Sequence, residues 1–338
     1  MHRTEHVPLS SLTTFKIGGA AQYVYTCETV EDIKTALTFV RESGLLWYVI
    51  GGGSNILASD EGFAGVIIRP IIPGFVFDDG EDSCVVTVGA GVVWDELVQE
   101  SLKRGLWGLE NLAGIPGLVG GAPVQNIGAY GADVSNTIHS VEAYDTSTDT
   151  IKIFSKAECL FEYRDSFFKQ NPTFIITRVT FLLTTHGIPR TKYADLIAYE
   201  QTGKPLSTPP QIGDAVRAIR AKKFPDISVE GTAGSFFKNP TLKASDYAQL
   251  AEKYPSLPGF ALANTAQVKV PLAWILDHVL HLRGYTKGIV RCFEQQPLVI
   301  VTKEGATKEL VDTFASEIQT LVKDATGISI EKEVRTLV

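Results

Sequence analysis

Apolar and polar positions along this chain follow two different periods. In "TVEDIKTALTFVRESG" the apolar Ile33, Leu37 and Val40 recur at helical spacing, with Thr29 at the N-cap position and Asp32 three residues on. Gly44 offers the stop, so the pattern predicts a helix that ends there. "VWDELVQESLKRG" has the same form, stopped by Gly105, and "DAVRAIRAKKF", "SDYAQLAEKY", "PLAWILDHVL" and "KELVDTFASEIQTLVKDATG" predict four more helices. Short apolar runs predict strands: "WYVI", "GVIIRP", "CVVTVG", "IHSVEAYD", "TIKIFS", "FIITRVTFLL", "LVIVTK" and the closing "ISIEKEVRTLV". Strand and helix alternate at first. A mostly antiparallel sheet follows, and the Pro-, Thr- and Ser-rich "TGKPLSTPPQ" marks a boundary. Internal repeats and low-complexity tracts are absent from the sequence.

Two stretches follow neither period. "IGGGSNIL" places Gly51, Gly52, Gly53, Ser54 and Asn55 directly after an apolar strand. "LAGIPGLVGGAPVQNIGAYG", residues 112 to 131, is a long glycine-rich loop, uncommon in compact domains unless it binds something. The first is no dinucleotide fingerprint, because no clear helix follows and no acidic residue lies about 20 positions on. Tight turns alone would account for it. Both loops together, with Gln125 and Asn126 in the second, point to backbone N–H groups that cradle a pyrophosphate.

Composition narrows the function class. The chain has 338 residues, 44% hydrophobic and 20% charged, as an ordinary soluble globular protein does. A formal charge of −7 excludes a general nucleic-acid binder, which needs a basic surface. Cys27, Cys84, Cys159 and Cys292 are scattered without a CxxC pair, so no zinc site or disulfide framework is expected, and a cytoplasmic location is. The first residues lack the apolar core of a signal peptide, and no apolar run reaches the ~20 residues that span a bilayer, so no membrane insertion is expected. His278 and His281 stand at i, i+3 without a nearby third ligand, and read as one partly exposed and one packed residue; no metal is expected.

Three further stretches could carry chemistry. "FEYRDSFFK" holds Arg164, either a surface ion pair with Asp165 or a group that steadies a carboxylate or oxyanion. "EGTAGSFFKNP" holds Ser235, which has no nucleophile elbow and no adjacent histidine, and so could act only as a hydroxyl donor. In "EKE", Glu331 and Glu333 would share one face of the last strand.

Taken in order, "TFKIGG", "IGGGSNIL", "GLENLAGIPGLVGGAPVQNIGAYG", "YRDSFFK", "GTAGSFFKNP" and "EKEVR" resemble the UDP-N-acetylenolpyruvoylglucosamine reductase (MurB) family of peptidoglycan precursor synthesis, in the longer of its two forms. The resemblance runs from about residue 12 to the C-terminus. It implies an α+β fold with a two-part FAD-binding domain of the vanillyl-alcohol-oxidase (PCMH) type over 1–208, divided near 70. A separate α+β substrate-binding domain over 209–328 would follow, and 329–338 would return as a terminal strand to the FAD site. FAD would be non-covalent, since neither glycine loop contains His or Cys. Its contacts would be Gly51, Gly52, Gly53, Ser54, Asn55, Gly114, Ile115, Pro116, Gly120, Gly121, Gln125, Asn126, Gly128, Ala129, Tyr130 and Gly131.

In such a family NADPH reduces the flavin, and the enolpyruvyl ether of UDP-N-acetylglucosamine then takes hydride at its methylene carbon. By that resemblance Arg164 and Glu333 would stabilise the enolate, and Ser235 would supply the proton. Tyr193, Lys223, Asn239, Lys269 and Gln296 would contact the UDP-linked substrate, and the protein would act as a monomer. Three departures affect closure on the substrate: "GFALANTAQVKV" lacks the family's loop tyrosine, Ala273 replaces a usual glycine and Thr302 a usual asparagine. The competing readings are another FAD oxidase or dehydrogenase of the same superfamily, and a non-catalytic nucleotide-binding regulator that would have lost one of the three reactive residues.

Overall fold

Thr29 caps its helix as its position predicts. Its hydroxyl accepts the Asp32 N–H and the Asp32 carboxylate accepts the Thr29 N–H, a reciprocal capping box at the head of helix Val30–Ser43. Gly44 ends that helix in the left-handed conformation at φ 66°. The structure, a computed structural model, describes residues 1–262 and 265–338. The loop that lacks the tyrosine is therefore described only in part, since Ala263 and Asn264 lie outside the described residues.

The chain forms two compact units. One comprises Met1–Val7, Ala21–Gly53 and Phe63–Ala221; the other comprises Pro8–Ala20, Ser54–Gly62 and Lys222–Val338. The first unit contains two sheets. Strands Ala20–Cys27, Phe63–Pro70 and Leu46–Val49 run parallel, with helix Val30–Ser43 as the crossover and His2–Pro8 at the edge. The second sheet is antiparallel, in the order Thr150–Ser155, Ile138–Asp145, Phe174–Thr184, Ser83–Gly89, Phe75–Asp79. Its inner face packs Val86, Val88, Val141, Val179 and Phe181 against Leu97, Val98 and Leu102 of helix Trp94–Lys103.

The second unit is built around helix Lys308–Thr326. Val311, Phe314, Ala315, Ile318 and Val322 form its buried stripe at i, i+3, i+4, i+7, i+11. Phe15, Ile17 and Leu57, from early segments of the chain, join the same core. The carboxylate of Asp60 accepts the N–H groups of Lys308 and Glu309 at the helix head. Strand Ile56–Ala58 pairs in parallel with the final strand Arg335–Leu337.

The structure departs from the predicted elements in two places. "PLAWILDHVL" is helical only over Leu272–Trp274 and then widens into a π turn over Ile275–Val279, with the Leu280 N–H bonded to the Ile275 carbonyl five residues back. The wide turn accommodates the adjacent Ile275 and Leu276, both fully buried. Neither histidine is packed: His278 is exposed and stacks on Trp274, and exposed His281 lies beyond the turn at φ 52°. The predicted terminal strand shrinks to Arg335–Leu337, because residues 331 to 333 pair with another segment. The proline-rich stretch runs into the head of helix Pro209–Lys223, where proline suits a first helical position.

Candidate active site

The two glycine-rich loops meet inside the first unit. A Cβ on Gly52 would lie 2.7 Å from the Gly117 Cα, so the loops press backbone on backbone where no side chain fits. Gly51 and Gly121 differ: a Cβ on either would meet nothing within 4 Å, leaving bare backbone open to a ligand. Gly53, at φ 64°, turns the chain shortly after strand Leu46–Val49.

A frame of side chains holds the 112–131 loop. Asp95, in the first turn of helix Trp94–Lys103, accepts the Gly114 N–H at 2.6 Å and binds Arg217 through both carboxylate oxygens, at 3.0 and 3.1 Å. Arg220 donates to the Gly114 carbonyl at 2.9 Å, and Trp94 donates to the Leu112 carbonyl. Asn126, itself at φ 46°, donates to the Glu162 carbonyl and accepts the Ser135 N–H. Asn111 is 1% exposed, and its amide donates to the carbonyls of Tyr130 and Arg190. The Asn111 Oδ1 is buried without a hydrogen-bond partner, a vacant acceptor beside the loop.

The Asp165 carboxylate accepts the Ser166 N–H and the Gln170 amide. The Arg164 guanidinium donates to the Gly128 carbonyl of the glycine-rich loop at 2.8 Å, with Asp133 at 3.9 Å. The backbone of Arg164 is left-handed at φ 57°, a conformation that costs a side-chain-bearing residue roughly 1–2 kcal/mol. Glu162 and Asp165 exchange backbone hydrogen bonds across it, and Lys169 Nζ donates to its carbonyl at 2.6 Å. Tyr193 packs edge-on against Tyr130 with ring centroids 5.3 Å apart.

In the second unit, Phe237 bridges Lys332 antiparallel, the Glu333 N–H donates to the Phe236 carbonyl, and the Lys238 N–H donates to the Glu331 carbonyl. This ladder sets Ser235 and Glu333 one step apart on neighbouring segments. Glu333 is also tied to the end of the first glycine loop: Asn55 Nδ2 donates to its carbonyl, and Arg335 N–H donates to the Asn55 carbonyl. On its other side Ser235 bridges Val299, the last residue of a turn closed by the Val299 N–H on the Gln296 carbonyl. Asn239 accepts the Leu272 N–H, and Lys269 pairs with Thr241 and Phe260. Lys223 is the last residue of helix Pro209–Lys223. Glu331 does not share the surroundings of Glu333; it is exposed and pairs with Lys238.

Electrostatics follow from these contacts. Burial pushes the Asp95 carboxyl up, but Arg217, the Gly114 N–H and Gln99 together outweigh it and hold the group below the usual carboxylate range. Burial lowers Arg220, against the opposing pull of Tyr130 and Asp95. Burial pushes the Tyr130 phenol up to about 12 and raises that of Tyr193 too, although 46% of the Tyr193 surface is exposed. Both tyrosines are therefore neutral hydroxyl donors at pH 7.

This constellation fits a flavin dinucleotide: open backbone at Gly51 and Gly121, a vacant buried acceptor on Asn111, and the desolvated Arg220 beside Gly114. Among the described residues no group of three or more His, Cys, Asp or Glu is placed to hold a metal, and no helix is long and apolar enough to cross a membrane. Asp95, Asn111, Arg217 and Lys169 were not singled out by the sequence, although Asn111 and Lys169 lie within its motifs. Asp95, Asn111 and Lys169 bond to backbone groups and Arg217 to the Asp95 carboxylate, contacts that spacing along the chain does not reveal.

Comparison with known proteins gives consistent matches. Residues 21–153 match a family described as FAD binding domain, and residues 226–337 match the C-terminal domain of UDP-N-acetylenolpyruvoylglucosamine reductase. The chain is 39% identical over 336 residues to the protein of that name from Ralstonia nicotianae, covering 97% of each chain. It is 38% identical to the one from Pseudomonas aeruginosa over 97% of each chain, and 39% identical to the one from Amoebophilus asiaticus over 100% of each. It also resembles the crystal structure of the Thermus caldophilus reductase, with a TM-score of 0.68, 26% identity, and coverage of 100% of this chain and 98% of that one.

Proposed function

The chain belongs to the UDP-N-acetylenolpyruvoylglucosamine reductase family, FAD-dependent oxidoreductases of peptidoglycan precursor synthesis. From that premise we propose that it uses NADPH to reduce UDP-N-acetyl-3-O-(1-carboxyvinyl)-glucosamine to UDP-N-acetylmuramate, with Arg164, Ser235 and Glu333 as its catalytic residues. With FAD bound without a covalent link, the site gains a two-electron hydride carrier. The 51–55 and 112–131 loops would hold it through backbone N–H groups at Gly51, Gly121 and their neighbours.

Hydride arriving at the methylene carbon leaves negative charge on the adjacent carbon and its carboxylate. Arg164 can accept that charge, because its guanidinium is fixed on the Gly128 carbonyl and needs no reorganisation when the charge develops. A serine hydroxyl is a weak acid, yet an enolate is basic enough to take its proton, so Ser235 can complete the addition at the neighbouring carbon. Glu333, on the neighbouring segment of the same ladder, can polarise the enol. Tyr193, Lys223, Asn239, Lys269 and Gln296 supply donors suited to the nucleotide and diphosphate. Four free, buried cysteines suit a reducing cytoplasm.

The observation that carries this reading is the ladder that puts Ser235 and Glu333 on adjacent segments, tied to Asn55. The test follows the flavin absorbance band anaerobically. NADPH should bleach it and the enolpyruvyl substrate should restore it. Ser235→Ala should leave bleaching nearly normal and slow the return by at least ~10²-fold. A band that bleaches and ignores the substrate in the wild-type protein would sink the assignment and favour another flavin oxidoreductase.

A further inference from the structure

Lys169 stands five residues after Arg164, beyond the short turn that presents it, and its ammonium donates to the Arg164 carbonyl at 2.6 Å. That carbonyl belongs to a residue held at φ 57°, where an arginine gains nothing from its own backbone preference. The strain therefore needs outside support, and a charge-assisted hydrogen bond is the strongest support on hand. Lys169 is itself anchored. It lies in helix Phe167–Gln170, whose N-cap Ser166 accepts the Lys169 N–H and donates its hydroxyl to the Val124 carbonyl of the glycine-rich loop. The loop thus fixes Ser166, Ser166 fixes the helix, and the helix aims Lys169 at the Arg164 carbonyl. From the other side, Gly128 of the same loop receives the Arg164 guanidinium.

We infer that Lys169 is a positioning residue for the reduction step, holding Arg164 in its left-handed conformation so that the guanidinium stays in register with the 112–131 loop. This rests on the role proposed above for Arg164. A role exercised through Arg164 belongs to the reduction of the substrate, so loss of Lys169 divides the two half-reactions.

The test uses the full-length holoenzyme and the variants Lys169→Met, Lys169→Arg, Arg164→Ala and Lys169→Met with Arg164→Ala. Lys169→Met should slow flavin reoxidation by substrate about 10- to 100-fold, the range set by losing one charge-assisted hydrogen bond. Its NADPH half-reaction should stay within about twofold of wild type, the level expected of an interaction absent from that step. A binding readout accompanies the kinetics: substrate titrated into the oxidised protein should perturb the flavin band at higher concentration in Lys169→Met than in wild type. Lys169→Arg, which keeps a charged donor, should recover most of both. In the Arg164→Ala background Lys169→Met should add almost nothing, since both substitutions remove one function.

Wild-type reoxidation in Lys169→Met beside a crippled Arg164→Ala overturns the positioning role alone. The same slowing in both backgrounds also overturns it, because Lys169 would then act on general structure. An Arg164→Ala variant that reoxidises like wild type removes the assignment of Arg164, and this inference falls with it.

Discussion

Gly52 shows how much one missing Cβ can carry. Its neighbour in space, Gly117, is 65 positions away, and a methyl group on Gly52 would lie 2.7 Å from the Gly117 Cα. Gly52→Ala should therefore force the loops apart, at the ~1–3 kcal/mol typical of overpacking a tight site. A lower urea midpoint with reduced flavin content on purification is the expected result; compared free of flavin, a Gly121→Ala control, where the space is open, should keep the midpoint of wild type. The glycines were legible because two such loops together, the second with Gln125 and Asn126, are more than tight turns require. Asn111 was not legible: a buried asparagine looks like any polar loop residue until its two carbonyl partners, Tyr130 and Arg190, are seen together.

At the scale of elements, helix Trp94–Lys103 does more than pack. Its Asp95 reaches out to the Gly114 N–H and to Arg217 of helix Pro209–Lys223, so two helices grip the 112–131 loop through one carboxylate. The folded-state pKa of Asp95 is lowered, so its contribution to stability is present above the unfolded value of about 4 and lost as pH falls through the folded one. Asp95→Asn should be clearly less stable than wild type at pH 7, and the gap should narrow below about pH 4. Urea midpoints of both proteins across that range check this; a gap independent of pH would show that the charge of Asp95 plays no part. The helix itself was readable from its apolar stripe and Gly105. Its tethering role was not, because Asp95 in a first helical turn already has an ordinary reason to be there. The π turn at Ile275–Val279 went unread for a similar reason, since its apolar spacing suits a regular helix equally well.

At the scale of the whole molecule, the second unit is assembled from three stretches of chain. Residues 222–338 hold most of its core, but Phe15, Ile17 and Leu57 are each 2% exposed or less within it. Strand Ile56–Ala58 is the partner of the last strand, and Asp60 caps the long helix. An isolated fragment 222–338 should therefore fail to unfold cooperatively in urea, lacking a strand partner, a helix cap and a wall of its core. A cooperative transition in that fragment would show that the early segments are accessory.

By itself the sequence determined the helices with caps and clear apolar stripes, the antiparallel sheet, the two glycine-rich loops and the family, because each is written in local spacing or in short motifs. The tertiary structure alone decided why "TFKIGG" matters: its Phe15 and Ile17 fill the core of the unit that ends the chain. It also decided that Ser235 and Glu333 lie on one ladder and that the left-handed Arg164 accepts a hydrogen bond from Lys169 at its carbonyl. Those facts depend on contacts between residues far apart in the chain or on a backbone angle, and neither leaves a period in the sequence.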